Sequence, residues 1–511
     1  MKIKYIWLLA LVASFFSCEE VESPIPEAEV LPELTSGTAD FSNYVAVGAS
    51  FTAGFSDGAL FKASQENSFP NILSQQFAKV GGIPLTQPLM NDNIGGFLIG
   101  GMPNVNFQPR LFFNGAGPVR LPATPTTEGT SNLGATFSNM GVPGAKSFHL
   151  LFDGYGNPAN LAIGQANPYF VRMASSPSAT MIGDAVAQNP TFFTLSEIGG
   201  NDVLGYATSG GDGSNPITDS ATFDASFNAL VNALTSNGAK GVVTNVPYVT
   251  DLPFFTTVPN NALVLDAATA AQLTGVFQAV SGIFLQGALL QGVPLEQAQA
   301  LAAQYAITFN EGPNRWIIDV PVTQLNPLGF RQMTEDELLV LTIDQAALAA
   351  GYGTVALTPE VLQVLGLLQQ GGTPTLEQAG LVIAAVNGID DKDALDSDEL
   401  AAIKTATDGY NATIGNTAMA NENIALVDLN AILSQVASTG LDFDGFNLTA
   451  DLVTGGAVSL DGIHLNARGY AFMANKFLEA IDENFGSNFV ASGNVAKAVD
   501  YQTNYSPTLL E

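Results

Sequence analysis

The chain contains two histidines, His149 and His464, and a single cysteine, Cys18, so the reactive chemistry open to it is narrow. His464 has Asp461 three residues before it in the segment LDGIHLNARGYAFMAN (460–475). That spacing lets a carboxylate reach the imidazole Nδ1–H within one turn, fixing the tautomer and stabilising the imidazolium, with Nε2 left to act as a base. Such a base serves a hydroxyl, a poor nucleophile unless its proton is removed as it attacks. Ser50, in VAVGASFTAG (45–54), stands just beyond an apolar run and offers that hydroxyl. A tetrahedral intermediate also needs donors for its oxyanion, each worth about 2.7–4 kcal/mol when removed. The backbone N–H of Ser50, that of Gly144 in SNMGVPGAKS (138–147), and the side-chain amide of Asn201 in IGGND (198–202) are donors of the right kind. Gly141 is a second candidate for the oxyanion glycine. His149 has no acidic neighbour at triad spacing and reads as a packed structural histidine.

These segments form one site only if the fold brings them together. Apolar runs predict strands at 44–48, 136–140, 191–195, 241–246 and 424–427. Helical stretches are expected around 69–80, 179–188, 223–235 and 471–481, with long loops over the Gly/Pro/Asn-rich residues 81–134. Alternating helices and strands this apolar imply a parallel sheet covered on both faces. Loops at the carboxyl ends of such strands meet in one crevice, and Ser50, Gly144 and Asn201 each follow a strand.

Residues 261–420 turn Ala-, Leu- and Gln-rich and predict a large helical insertion. Thr334 and Glu337 form a capping-box pattern there, and Asp396 or Ser397 is expected to cap a helix starting near Glu399. The insertion is expected either to form a lid or acyl-binding wall, or only to pack on the core. The aspartates between 390 and 398 lack the glycine and twelfth-position glutamate of an EF-hand loop, and read as a solvated loop with a helix cap.

In chain order, Ser50, Gly144, Asn201 and His464 resemble the four blocks of the SGNH/GDSL hydrolases. The first block of that family is Gly-Asp-Ser-Leu, where this chain has Gly48-Ala49-Ser50-Phe51; GGND and DxxH match the later blocks. The resemblance covers the α/β core and not the insertion. It implies a three-layer α/β/α, flavodoxin-like fold with a parallel sheet of about five strands. It also implies a Ser50–His464–Asp461 triad, an oxyanion hole from Ser50, Gly144 and Asn201, and ester hydrolysis through an acyl-enzyme without cofactor or metal. Lipid-like or acyl esters are the expected substrates. The alternatives are a carbohydrate or peptidoglycan O-acetyl esterase, or a non-catalytic surface binding lipoprotein on the same scaffold. The α/β-hydrolase arrangement needs a G-x-S-x-G elbow, which Gly48-Ala49-Ser50-Phe51-Thr52 does not provide.

Composition sets the surroundings of this site. With 511 residues, 47% hydrophobic and 12% charged, the chain can bury a sizeable core. Its net charge of −31 repels nucleic-acid phosphates and anionic headgroups alike, so nucleic acid is not an expected partner and membrane association needs an anchor. One cysteine builds neither a disulfide framework nor a thiolate metal site. Residues 1–17, MKIKYIWLLALVASFFS, have signal-peptide proportions, and Cys18 directly after them resembles the acylated cysteine of a bacterial lipobox. Residues 18–40 form a Pro/Glu-rich tether, and Glu19-Glu20 resembles the surface-export signal of Bacteroidetes lipoproteins. The expectation is an envelope lipoprotein of the outer membrane, displayed at the surface, with a hydrolase domain over 41–486 and a C-terminal tail over 487–511.

Overall fold

The computed structural model describes residues 31–511; the leader, Cys18 and the first part of the tether lie outside the described residues. Five strands form the central sheet: β1 (Tyr44–Gly48), β2 (Asn139–Gly141), β3 (Phe192–Ser196), β4 (Lys240–Thr244) and β5 (Ile424–Val427). They run parallel in the order β2-β1-β3-β4-β5. One register row crosses the sheet through Asn139, Ala46, Thr194, Val242 and Ala425.

Alternation along each strand sends side chains to two separate cores. Val45, Val47, Phe193, Leu195 and Val243 join one core; Tyr44, Ala46, Phe192, Val242 and Ala425 join the other. Helices cover both faces, which makes three layers. The helices used below are α1 (Phe69–Phe77), α2 (Gly200–Thr208), α3 (Ser220–Thr235), α4 (Ala267–Leu290), α5 (Ser397–Met419), α6 (Leu429–Ser438) and α7 (Ala467–Phe485). The first core is closed by Phe223, Phe227 and Leu230 of α3, and the second by Phe69 and Leu73 of α1 with Phe477 and Ile481 of α7. The chain leaves β1 for β2 on one side and places β3 on the other, so the strand order reverses at β1, where a crevice opens beyond the carboxyl ends.

The insertion between β4 and β5 differs from the expected helical block. It holds α4 and shorter helices, but also four two-stranded antiparallel ladders, such as Leu263–Leu265 with Gly312–Asn314 and Ile317–Asp319 with Phe330–Gln332. Runs of two or three residues are too short to show a strand period, which is why sequence reading missed them. Leu273, Phe277, Tyr305, Phe330 and Val361 give this region a core of its own. Glu337 does accept the Thr334 N–H at 2.7 Å, but Arg331 also takes its carboxylate, and a two-residue strand, Leu338–Leu339, follows instead of a helix.

Two further boundaries move. Helix α5 belongs to the α/β core rather than to the insertion: Tyr410 stacks on Phe223 of α3 at 4.0 Å between ring centroids. Asp396 caps it as expected, accepting from the N–H groups of Asp398 and Glu399. Residues 487–511 are not a loose tail. Tyr505 is buried edge-on against Phe61 at 4.8 Å, and the buried Arg110 donates to the carbonyls of Ser506 (2.6 Å), Leu509 (3.1 Å) and Asn93 (2.7 Å).

Arg110→Met leaves the Asn93 and Leu509 carbonyls without a donor, at about 1–3 kcal/mol for each one that stays buried and unpaired, while Ser506 keeps the Leu509 N–H. The urea midpoint of the variant is expected to fall accordingly; an unchanged midpoint would show that the C-terminal residues are not held this way.

Candidate active site

Three of the four blocks converge at the crevice. Ser50 begins a helical turn, Ser50–Ala53, directly after β1, where the backbone swings round at Ala49 (φ −109°, ψ −126°). Gly48 is needed before that turn because a Cβ there would lie 2.1 Å from Thr52 Oγ1 and 2.7 Å from the Ser196 carbonyl. Asn201 sits in the first turn of α2 and donates from Nδ2 to the Ala145 carbonyl at 3.0 Å. This bond orients the amide and leaves its second N–H for another acceptor. Asp202, beside it, accepts from the Ser147 N–H (2.9 Å) and hydroxyl (2.7 Å), tying α2 to the glycine block that follows β2.

The geometry separates the two candidate glycines. Gly141 is buried, its N–H is taken by Asn139 Oδ1 at 3.0 Å, and a Cβ on it would lie 2.3 Å from the Ala53 nitrogen. It is a close-approach residue, not a free donor. Gly144 has φ +80° and open space around it, and no hydrogen bond among the described residues takes its N–H. It is not among the residues lining the cavity described below, and meets the site through its neighbour Ala145.

The fourth block places an imidazole beside a carboxylate. His464 Nδ1 and Asp461 Oδ2 are 2.8 Å apart, with both side chains largely buried. Asp461 is held by several donors: Oδ1 accepts from the N–H groups of Ile463 and His464 and from Ser459 Oγ, and Oδ2 accepts from the Gly58 N–H at 2.7 Å. Burial pushes the Asp461 carboxyl up, but the charge of His464 and the hydrogen bonds from His464 and Ile463 outweigh it and hold the group well below the usual carboxylate range. Phe55 and Phe51 pack against the imidazole, with ring centroids 4.5 and 6.0 Å away. Among the described residues no hydrogen bond links Ser50 Oγ to His464; catalytic bonds of this kind commonly close only around substrate.

Ser50, Asn201 and His464 line a single cavity. Its remaining walls are largely apolar and include Leu252, Ile432, Leu433, Val436, Phe472 and Met473, with Lys476 among the few charged residues. The walls come from α2, the loop after β4, α6, the 457–465 segment and α7, and none from 261–420. The insertion reaches the site differently. The Phe254 N–H donates to the Gly462 carbonyl in the Asp461–His464 loop (3.0 Å), and the Phe254 carbonyl accepts from Leu341 of the insertion (2.7 Å).

Glu197, which sequence reading passed over, also lines the cavity. Its carboxyl accepts the Phe51 N–H at 2.7 Å and the Thr52 N–H at 3.2 Å, and so grips the turn that carries Ser50. Position 49 is alanine, so this carboxyl comes from the neighbouring strand instead. The sequence shows an acidic residue directly after a largely apolar run, but nothing in it assigns that residue to the Ser50 turn; in the structure Glu197 has φ +56°. His149 accepts the Lys146 N–H on Nδ1 (3.1 Å) and stacks on Tyr155 at 4.5 Å, a packed structural histidine. In the 390–398 segment Asp390 pairs with Lys392, Asp393 receives the Tyr352 hydroxyl and Asp396 caps α5. Among the described residues no group of three or more His, Cys, Asp or Glu side chains is placed to hold a metal ion.

Burial pushes the Glu197 carboxyl up to about 8, and likewise raises Asp57 and Glu399 to about 7. Carboxyls raised in this way bind protons more tightly in the folded chain, so their stabilisation is lost as pH rises through the folded value. His149, held down to about 4 by burial and by Lys146, acts oppositely, and its contribution is complete above its ordinary value of 6.5. From there to about 8 the Tm is expected to fall, and less steeply in Glu197→Gln. A flat or rising wild-type Tm, or an equally steep variant, would contradict this.

Comparison with family models, with curated proteins and with solved structures gives no match, so the functional reading rests on the geometry of the site itself.

Proposed function

We propose that this chain is a serine carboxylic-ester hydrolase of the SGNH/GDSL type, working through an acyl-enzyme on Ser50. The observation that carries this reading is the 2.8 Å Asp461–His464 pair opening onto the same cavity as Ser50 and Asn201. The strand order, with Ser50, Gly144 and Asn201 each following its own strand, supports the same family.

In this reading His464 Nε2 takes the Ser50 proton as Oγ bonds to the ester carbonyl carbon. The carbonyl oxygen becomes an oxyanion, stabilised by the N–H groups of Ser50 and Gly144 and the Asn201 amide. His464 then returns the proton to the departing alcohol, leaving the acyl group on Ser50. Water, deprotonated by the same imidazole, attacks the acyl-enzyme, and the carboxylic acid leaves as Oγ recovers its proton. Asp461 remains ionised throughout and stabilises the imidazolium in each half-reaction.

The apolar cavity favours an acyl chain over an acetyl group. The acyl group lies against Leu433, Val436 and Met473, on walls built from α6 and α7 rather than from the insertion. An anchor at Cys18 would hold this site at the outer membrane, close to lipid-like esters, and membrane contact then depends on the anchor rather than on a surface of this net charge.

A panel of p-nitrophenyl esters tests the reading. Each methylene buried in the cavity is worth about 0.8 kcal/mol, so kcat/KM should rise roughly fourfold per added methylene from acetate towards octanoate. Asn201→Ala should lower kcat by about 10²–10³, and Ser50→Ala by at least as much. Hydrolysis of acetate with none of octanoate would favour the O-acetyl esterase; Ser50→Ala with wild-type turnover would remove the serine mechanism altogether.

A further inference from the structure

One turn outside the reacting residues is built directly onto the catalytic acid. Ser56 and Ala59 exchange backbone hydrogen bonds at 3.0 Å, closing a two-residue turn over Asp57 and Gly58. Both central residues have positive φ, +53° and +71°, the requirement of a type I′ turn, which Asp-Gly satisfies well. Its two N–H groups and the Asp57 carboxyl are spent on residues 459–461, while its carbonyls accept from the Leu111 N–H and from Arg120. The Asp57 N–H donates to Ser459 Oγ (2.9 Å), and Ser459 Oγ donates on to Asp461 Oδ1 (3.0 Å). The Gly58 N–H donates to Asp461 Oδ2 (2.7 Å), and Asp57 Oδ1 accepts the Leu460 N–H (3.0 Å). The Asp57 side chain is buried, and Oδ2 has no hydrogen-bond partner.

We propose that Asp57 is a positioning residue for the Asp461–His464 pair, bracing the loop 459–461 so that Asp461 Oδ2 stays aimed at His464 Nδ1. The inference rests on the serine-hydrolase reading. A base misaimed by a fraction of an ångström loses rate without losing substrate affinity, because alignment matters most in the transition state. Oxygens of Asp461 that are pinned from both sides cannot drift as the imidazole gains and loses its proton.

The acid form of Asp57 suits this role. Asp57 interacts with the charges of Asp461 and Arg110 and with Tyr505. Burial first, and then Asp461, push its carboxyl up to about 7, against the opposing effect of Arg110 and of the Leu460 hydrogen bond. While Asp57 holds its proton, Asp461 is the only carboxylate of the two that is charged beside the imidazole.

Asp57→Asn keeps an acceptor for Leu460 and the N–H to Ser459 but cannot ionise, whereas Asp57→Ala removes the acceptor. Kinetics of both on a p-nitrophenyl ester, with the Tm as a folding control, test the proposal. Asp57→Ala is expected to lose about tenfold or more in kcat with KM nearly unchanged. Asp57→Asn, which keeps the acceptor for Leu460, is expected to restore kcat to within a few-fold of wild type. Ser459→Ala, which breaks the middle link without touching the Asp57 carboxyl, should lose several-fold in kcat if Asp57→Ala does not fold. Wild-type kcat in folded Asp57→Ala or in Ser459→Ala overturns the brace, as does a folded Asp57→Asn that loses as much kcat as Asp57→Ala.

The Nδ1–H proton of His464 gives a readout that does not need turnover, and with two histidines in the chain its resonance is assignable. It should broaden or shift in Ser459→Ala relative to wild type. An unmoved resonance defeats the brace even if no ester is hydrolysed. A moved resonance without any hydrolysis by wild type counts instead against the esterase reading alone.

Discussion

A carboxylate taken out of water must be compensated on the spot or it takes up a proton. Asp461 is compensated by the His464 imidazole, three backbone N–H groups and one hydroxyl. Those donors come from its own loop and from the Asp57–Gly58 turn just beyond Ser50. The acid therefore stays charged only while two remote parts of the chain are correctly placed. Much of the surrounding structure reads as the means of keeping them so.

The sheet provides the first level of that placement. Reversal of strand order at β1 puts the ends of β2, β1 and β3 beside each other, and with them the glycine block, Ser50 and Asn201. Short bonds then join the loops in pairs: Asn201 to Ala145, Asp202 to Ser147, and Glu197 to the Ser50 turn. The insertion adds support from outside by way of Leu341, Phe254 and Gly462, and Arg110 binds the C-terminal residues to the loop region that carries Asn93. In this arrangement the insertion steadies the base loop, while α6 and α7 shape the apolar chamber.

The sequence made some of this legible and hid the rest for identifiable reasons. Four of the five strands were readable as short, largely apolar runs, and Ile424–Val427 falls at the residues expected; the second, Asn139–Gly141, is not apolar and begins three residues later than the expected 136. Asp461 and His464 were readable because three residues separate them and one turn of backbone fixes their geometry. The contribution of Glu197 was hidden, since its meaning lies in a contact with a turn about 150 residues away in the chain. Asp57 was hidden in the same way, as an ordinary turn residue until its partners at 459–461 are known. The mixed character of the insertion escaped because its ladders are two or three residues long, and the docking of residues 487–511 depends on the buried Arg110, which composition alone does not place.

The central claim is that the Asp461–His464 pair activates Ser50 and no other hydroxyl. The most direct measurement is to react the full chain with a fluorophosphonate, digest it, and map the adduct by mass spectrometry in wild type and in His464→Ala. The account predicts one phosphonylated residue, Ser50, and loss of that adduct when the imidazole is removed. An adduct on another residue, an adduct on Ser50 formed equally fast without His464, or no adduct on the folded protein would contradict it.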